Sequence, residues 1–196
     1  MKTVNAQRPL TDEEKRRLLR IARDAIEQYL REGTASPPSL ASLPLRLRED
    51  GASFVTLTSH GTLRGCIGSL RALRPLAHDV HHNALAAAFQ DPRFPPLRAQ
   101  ELGKIVVEVS VLSAPQPLDY EGPEDLLRKL RPHVDGVVLK RGLRRATFLP
   151  QVWEKISQPE VFLAQLCYKA GLPPETWRQS DVEILTYQVD KFSEEG

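Results

Sequence analysis

The feature that most constrains the fold is an order of turns and apolar segments that occurs twice in the chain. Each occurrence opens with Asp-Gly, at Asp50-Gly51 and again at Asp135-Gly136, and continues with two short strands, a helix and a further strand. We therefore expect a chain that duplicates one unit of hairpin, helix and strand, although the two halves share negligible residue identity.

Apolar spacing and turn residues predict the individual elements. The predicted strands are residues 53–58, 62–68, 104–112, 137–140, 145–149 and 183–189, and the predicted helices begin at Pro75 and Pro159, with a short helix at 124–130 between them. An earlier helix is indicated by the capping box of Thr11 and Glu14 and by the stop at Gly33. The proline-rich residues 34–50 should wrap around the protein with their leucines packed.

Composition favours one cytoplasmic domain. A chain of 196 residues matches a single domain, here with two lobes at about 10–115 and 116–192. Lys and Arg number 27 against 25 Asp and Glu, and this balance argues against nucleic acid and membrane surfaces as partners. Residues 1–9 show no apolar targeting segment, and two cysteines are too few for a disulfide-stapled secreted domain.

The segment best suited to chemistry is the strand predicted at 62–68, TLRGCIG. Side chains alternate along a strand, so Arg64 and Cys66 would emerge on one face while Leu63 and Ile67 enter the core. A guanidinium beside a thiol favours the thiolate, which is the nucleophilic form. A reactive cysteine could be built in this way.

The glycines in this segment allow two interpretations. Gly65 and Gly68 lack side chains that would keep a ligand away from the backbone. Alternatively, they mark a bulge or bend, and Cys66 is a small buried apolar residue. The spacing alone leaves both open.

The window LRGCIG resembles the signature of the AMMECR-type domain family, the protein A component of the AmmeMemoRadiSam system. The resemblance extends to the segments FVTL at 54–57, NA at 83–84, AAF at 87–89, DPRFPPL at 91–97, VSVL at 109–112, LPQVW at 149–153, FL at 162–163 and KAGL at 169–172. It covers nearly the whole chain beyond the first helix, as one AMMECR-type domain spanning residues 1–196. It implies an α+β fold whose repeated units share one curved, barrel-like, mostly antiparallel sheet with helices packed outside.

The resemblance implies two classes of function. Family members are encoded beside, or fused to, a Memo-type protein and accompany a radical-SAM enzyme, so both are expected as partners. An enzyme role follows from a signature cysteine at a cleft, whereas the animal members are treated as interaction proteins. We therefore expect either a cysteine-dependent enzyme or a non-catalytic adaptor, with no cofactor implied.

Other segments supply polar groups for a site around Cys66. Arg93, fixed between prolines, could bind a carboxylate or phosphate as a fork, or pair structurally with Asp91. Glu108 and Ser110 share one strand face, where a carboxylate could accept a proton or form a buried ion pair. Gln151 follows a proline at a strand end, where its amide could enter a cleft or bond loop backbone.

The remaining candidates favour ordinary structural roles. His78, His81 and His82 have a spacing that can bind a metal, but without a third ligand a solvated helix face is expected. Cys167 lies on an apolar helix stripe and is expected in the core. The basic residues 140–145 form an exposed turn rather than a nucleic-acid site.

These observations lead to one hypothesis with a stated alternative. A cleft centred on Cys66 would bind a small anionic ligand or a peptide carboxylate through Arg64 and Arg93, with Cys66, Arg64 and Glu108 as the catalytic group. Ser110, Gln151, Gly65 and Gly68 would complete the binding set. The alternative is that the same cleft docks a protein partner without turnover.

Overall fold

A computed structural model describes residues 8–194 and divides them into two compact units. The first unit contains residues 8–113 and 190–194, and the second contains residues 114–189. Residues 1–7, which contain most of the segment examined for a targeting signal, lie outside the described part. The prediction of one domain with two lobes stays a prediction.

The elements follow one another in this order. The first unit contains α1 (Asp12–Glu32), α2 (Leu45–Arg48), β1 (Asp50–Ser59), β2 (Thr62–Gly68), β3 (Arg74–Pro75), α3 (Leu76–Phe89) and β4 (Ile105–Leu112). The second contains β5 (Gln116–Pro117), α4 (Pro123–Lys129), β6 (Gly136–Arg141), β7 (Arg144–Phe148), α5 (Pro159–Lys169) and β8 (Glu183–Tyr187). The last strand is β9 (Val189–Ser193), and short 3-10 helices occupy Leu40–Ser42, Ala99–Lys104, Pro150–Glu154 and Pro174–Arg178.

Helix α1 has the boundaries that its sequence predicts. Thr11 and Glu14 form the capping box, and Gly33 ends the helix in the left-handed region at φ 73°. One face of the helix is buried, including Leu18 and Ile26. The segment after it also packs as expected through Leu43 and Leu47, although Leu45 is exposed.

The first sheet has the strand order β2-β1-β4-β9, and β3 pairs with β1. Strands β1 and β2 form the expected hairpin, and its turn has positive φ at His60 and Gly61. Alternate side chains of β1 and β4 enter the core, which also contains α1 and α3. Helix α3 thereby fixes the strands that contain the predicted site.

The second sheet has the strand order β5-β8-β6-β7. Its core is centred on Trp153, whose ring stacks on Phe162 at a centroid distance of 3.6 Å. The indole nitrogen of Trp153 donates a hydrogen bond to the carbonyl of Asp135 at 2.8 Å. Cys167 is fully buried in this core, as the helix stripe predicts.

The expectation of one shared, barrel-like sheet needs correction. The described strands form two sheets, and neither closes on itself. The physical reason is that the buried side chains form two separate apolar clusters, one within each unit. The strand predicted at 183–189 also ends at Tyr187, and a new strand from Val189 joins the first sheet.

No helix among residues 8–194 is both long enough and apolar enough to span a bilayer. The longest helix, α1, has charged residues along most of its exposed face.

Candidate functional site at the edge of the first sheet

Cys66 lies on β2, an edge strand of the first sheet, and its thiol is free and half-buried. Thr56 on β1 is its cross-strand neighbour, and the Thr56 hydroxyl contacts the Cys66 Sγ at 3.3 Å. Within the described part of the chain, the structure gives the sulfur no hydrogen bond to a histidine or a carboxylate. The sulfur therefore has a hydroxyl partner but no bonded general base.

The backbone of Cys66 is bound on its outer side by the loop that follows α3. The Cys66 N–H donates to Asp91 Oδ2 at 2.9 Å, and the Cys66 carbonyl accepts from Arg93 Nη2 at 3.0 Å. These two bonds satisfy backbone groups that an edge strand would otherwise present to solvent. Asp91 and Arg93 thus fix the position of Cys66.

Asp91 and Arg93 also form a two-pronged ion pair. Arg93 Nε donates to Asp91 Oδ1 at 2.9 Å, and Nη2 donates to Oδ2 at 2.6 Å. These bonds, together with the Cys66 N–H, hold the pKa of the Asp91 carboxyl well below its usual range, although burial opposes the shift. The Asp91 side chain is 1% exposed, whereas that of Arg93 is 53% exposed.

Arg93 is the arginine that bonds Cys66, through its hydrogen bond to the Cys66 carbonyl. The pKa of Arg93 is raised chiefly by hydrogen bonding to Asp91. The sequence interpreted Arg93 as either a ligand fork or a partner of Asp91. The structure shows the pairing with Asp91, while Nη1 makes no hydrogen bond within residues 8–194.

Strict alternation on β2 is wrong at Arg64. Gly65 pairs with Leu57 and Leu63 pairs with Thr58, so Arg64 is the extra residue of a bulge. Its Nε and Nη2 bind Glu101 at 2.8 and 3.2 Å.

The same bulge changes the surroundings of the two neighbouring side chains. Leu63 is 40% exposed rather than buried, whereas Ile67 packs against the core as expected. The buried Nη1 of Arg64 has no hydrogen-bond partner among the described residues. The Arg64 guanidinium is therefore occupied by its ion pair with Glu101.

The two glycines of the signature have packing reasons. A Cβ at Gly65 would lie 2.1 Å from the carbonyl oxygen of Ala87, so glycine allows β2 to approach α3. A Cβ at Gly68 would lie 2.2 Å from the Phe54 ring. Their roles in admitting a ligand stay predictions.

Glu108 and Ser110 occupy one face of β4, as alternation predicts. Glu108 is the cross-strand neighbour of Thr56, so the row runs from Cys66 through Thr56 to Glu108. The Glu108 carboxylate binds Lys191 at 2.9 Å. Thr56 therefore stands between the sulfur and Glu108, whose carboxylate already has a cationic partner.

Gln151 belongs to the second unit. It lies in the 3-10 helix Pro150–Glu154, and its side chain is exposed. Its predicted part in the site stays a prediction.

Sequence reasoning missed Thr56, Glu101 and Phe94. The phenyl ring of Phe94 lies 5.6 Å from the Arg93 guanidinium carbon and 6.0 Å from that of Arg64. Cross-strand pairing in the hairpin could have identified Thr56. No local signal indicates Glu101, because its contact with Arg64 spans 37 residues.

The expectation of a solvated histidine face is wrong in part. His81 is buried, and burial lowers its pKa below the usual value. His78 Nε2 contacts the carbonyl of Pro38 at 2.9 Å, and His82 is exposed. Residues 8–194 contain no group of three or more His, Cys, Asp or Glu placed to hold a metal ion.

Asp79, which lies beside these histidines on α3, is also buried. Its carboxylate accepts hydrogen bonds from the Ser53 N–H at 2.9 Å and from the Ser53 and Ser69 hydroxyls at 2.8 and 2.9 Å. The Asn83 amide donates to Asp79 and to the Ser53 carbonyl, each at 3.0 Å. This network ties α3 to β1 and to the end of β2, so it supports the site.

The fold and the site together define a class: an α+β protein with two antiparallel sheets and a cysteine bound at a sheet edge by an Asp-Pro-Arg loop. The family model named AMMECR1 matches residues 19–192, and the chain belongs to the AMMECR1 family.

Similar proteins span nearly the whole chain. A protein of Methanothermobacter thermautotrophicus is 42% identical over 193 residues, covering 96% of this chain and 98% of its own. Protein PF1979 of Pyrococcus furiosus is 40% identical over 188 residues, covering 91% of this chain and 87% of its own. The crystal structure of the uncharacterized protein PH0010 from Pyrococcus horikoshii matches this fold with a TM-score of 0.76. The two sequences are 38% identical, and the match covers 95% of this chain and 94% of the PH0010 chain.

Proposed function

We propose that the protein binds a carboxylate-bearing small molecule or peptide end beside Cys66, with Arg93 as the anion contact. The observation that supports this is the half-exposed Arg93 guanidinium, which is fixed by Asp91 and by the Cys66 carbonyl next to the thiol. A guanidinium fixed in this way loses little conformational freedom when it binds an anion. Its Nη1 retains two N–H donors for the ligand.

The other site residues have different roles in this proposal. Cys66 contacts the ligand through its thiol, and the Thr56 hydroxyl orients the sulfur. Arg64 acts as a positioning residue, because its fork is occupied by Glu101. Glu108 and Ser110 extend the polar surface from the cysteine along the sheet.

Binding without turnover fits this geometry better than nucleophilic catalysis. A cysteine nucleophile is activated by an adjacent base or by unpaired positive charge. Here the positive charge near the sulfur is paired with Asp91, and the sulfur's hydrogen-bond partner is a hydroxyl. The proposal therefore treats the protein as a binding module, and the cysteine-dependent enzyme of the AmmeMemoRadiSam system as the alternative.

The natural occupant in this proposal belongs to a Memo-type protein or a radical-SAM enzyme. A chain terminus or an acidic side chain of such a partner would supply the carboxylate that Arg93 binds. Titration calorimetry with each purified partner tests this. We expect Arg93→Gln to weaken binding at least about tenfold and Arg128→Gln, an exposed arginine of the second unit, to leave it unchanged.

Two matched alkylating agents test the anion contact directly. Iodoacetate and iodoacetamide react with thiols by the same displacement, but iodoacetate carries a carboxylate. We expect the ratio of their rates at Cys66 to be about threefold or more higher in the folded protein than in the urea-unfolded protein. Mass spectrometry of the labelled peptides separates Cys66 from Cys167.

Variants assign the effect to Arg93. Arg93→Gln should return the rate ratio to that of the unfolded protein, whereas Arg64→Gln should leave most of the preference in place. An equal ratio in folded and unfolded protein refutes the anion contact. A Cys66 that reacts far faster than a model thiol with both reagents, and that loses this reactivity in Arg93→Gln, favours the enzyme.

A further inference from the structure

A second basic site lies in the first unit, on α1, and shares no residue with the Cys66 site. A groove of about 350 Å³ is lined by Arg16, Arg17 and Arg20 of the helix and by Ser42 and Pro44 opposite them. Glu13 supplies the one carboxylate of this lining. The lining therefore has a net positive charge.

The three arginines differ from the other cations of α1. Lys15 is paired with Asp190, Arg23 with Glu194 and Arg31 with Glu32. Within residues 8–194, the structure gives Arg16, Arg17 and Arg20 no ion pair or side-chain hydrogen bond. Their guanidinium donors are thus free to bind a ligand.

Their spacing on the helix brings like charges together. Arg16 and Arg20 are four residues apart, and Arg17 and Arg20 are three apart, so each pair faces the same side of α1. Like charges at these spacings destabilise a helix. A bound anion would remove this repulsion, and the arginines would then supply several N–H donors to one ligand.

The opposite wall of the groove is fixed in place. Arg48 donates hydrogen bonds to the carbonyls of Leu43 at 2.5 Å and Ala41 at 3.1 Å. Leu43 is buried in the core of the unit. Ser42 lies between these two anchors, and its hydroxyl donates a hydrogen bond to the Ser39 carbonyl at 3.3 Å. The wall is therefore held in place by contacts within the protein.

We propose that this groove binds the phosphate group of a phosphorylated ligand. A carboxylate has two oxygens and is satisfied by one guanidinium fork, whereas a phosphate or diphosphate has enough oxygens for three. The groove, with a volume of about 350 Å³, is also large enough to take a phosphate or diphosphate group. The phosphate can belong to a soluble metabolite or to a lipid headgroup.

Titration calorimetry with inorganic pyrophosphate tests the site, with malonate as the carboxylate probe. We expect pyrophosphate to bind at least about tenfold more tightly than malonate. The triple variant Arg16→Gln, Arg17→Gln and Arg20→Gln should lose this binding. A control with the same change in net charge replaces the exposed arginines Arg71, Arg128 and Arg178 by Gln, and it should bind like the unmodified protein.

Two further measurements keep the test decisive. Glu13→Gln removes the opposing carboxylate and should tighten pyrophosphate binding about threefold. Without ligand, the triple variant should melt within about 3 °C of the unmodified protein, because the relieved repulsion is offset by lost attraction to Asp12, Glu13 and Asp24 at i,i+4 spacing. A lost helix or a much lower melting temperature in that variant would overturn the account of arginines that are free to bind a ligand.

The source of the phosphate is tested with vesicles. Sedimentation with phosphatidylcholine vesicles containing phosphatidic acid, compared with pyrophosphate binding, separates a lipid headgroup from a soluble ligand. Arginine-dependent binding in either arm supports the phosphate site and identifies its source. Equal binding by the triple variant and the charge-matched control in both arms overturns the proposal. The proposal is also overturned if neither pyrophosphate nor the phosphatidic acid vesicles bind the unmodified protein at millimolar concentrations.

Discussion

The two cysteines occupy opposite kinds of environment, each within its own unit. Cys66 lies on an end strand, half-buried, with a hydroxyl at its sulfur and an Asp–Arg pair on its backbone. Cys167 lies on a helix and is fully buried among apolar side chains, where burial raises the pKa of its thiol. The comparison teaches that the position of a cysteine in the fold, on an edge strand or on the buried face of a helix, decides whether a ligand can reach its sulfur.

The largest effect is expected where β2 approaches α3, beside Cys66. Gly65→Ala should lower the free energy of unfolding by about 3 kcal/mol or more, because the new Cβ would lie 2.1 Å from the Ala87 carbonyl oxygen. Urea denaturation measures the change. Gly103→Ala, where a Cβ meets nothing within 4 Å, should stay within about 0.5 kcal/mol. Equal costs for the two variants would contradict the close approach.

The next effect concerns the ion pair that fixes Cys66. Asp91→Asn should cost about 2 kcal/mol, because the buried carboxylate accepts bonds from Arg93 and from the Cys66 N–H. Chemical denaturation at neutral pH measures this. Asp125→Asn provides the comparison, because the Asp125 carboxylate pairs with exposed cations of the second unit. This substitution should lower the free energy of unfolding far less than Asp91→Asn does.

The same ion pair gives an acid dependence with a definite sign. Because the pKa of Asp91 is lowered in the folded protein, its contribution is complete above the ordinary carboxyl pKa of 3.8 and is lost as pH falls below it. The difference in stability between the unmodified protein and Asp91→Asn should therefore shrink between about pH 5 and pH 2. A difference that is constant over this range would show that the charge of Asp91 does not stabilise the fold.

A smaller effect compares the two sulfurs directly. Cys167→Ser places a hydroxyl in an apolar core and should cost about 1–3 kcal/mol, whereas Cys66→Ser should cost less than about 1 kcal/mol. Denaturation curves of both variants test the order. Native alkylation should label Cys66 and spare Cys167 until the protein unfolds. Labelling of Cys167 at the rate of Cys66 would remove the contrast.

The smallest effect lies on the alkaline side. Burial raises the pKa of Cys167 above the ordinary thiol value of 9.0, so the unfolded chain releases this proton first as pH rises. The resulting stability is complete below that ordinary value and is lost as pH rises through the raised pKa. Above about pH 9 the unmodified protein should lose up to about 1.4 kcal/mol per pH unit more than Cys167→Ala does.

The alkaline comparison controls for other buried groups. Burial also raises the pKa values of Tyr120 and Tyr187, but both tyrosines are present in each protein and cancel in the difference. If the free energies of unfolding of the unmodified protein and of Cys167→Ala change in parallel with pH, then folding does not raise the pKa of Cys167.

Local sequence signals determined most elements of this protein. The capping box of α1, the turn of the first hairpin and the proline before α3 each act within a few residues, so they can be interpreted without the fold. The burial of Cys167 also followed from helical spacing. The same reasoning placed Cys66 on a strand and identified Arg93 as a possible partner of Asp91.

Tertiary structure decided which groups surround Cys66. The bulge that turns Arg64 toward Glu101 arises where Gly65 meets α3, and Asp91 reaches the Cys66 N–H across 25 residues of chain. The return of β9 to the first sheet is likewise a pairing between distant segments. Periodicity records which face of an element is apolar, but it contains no information about which distant element covers that face. The sequence therefore showed the thiol, and the hairpin register could have shown its hydroxyl partner. The arginine and the bonds that fix the Cys66 backbone were set by long-range packing.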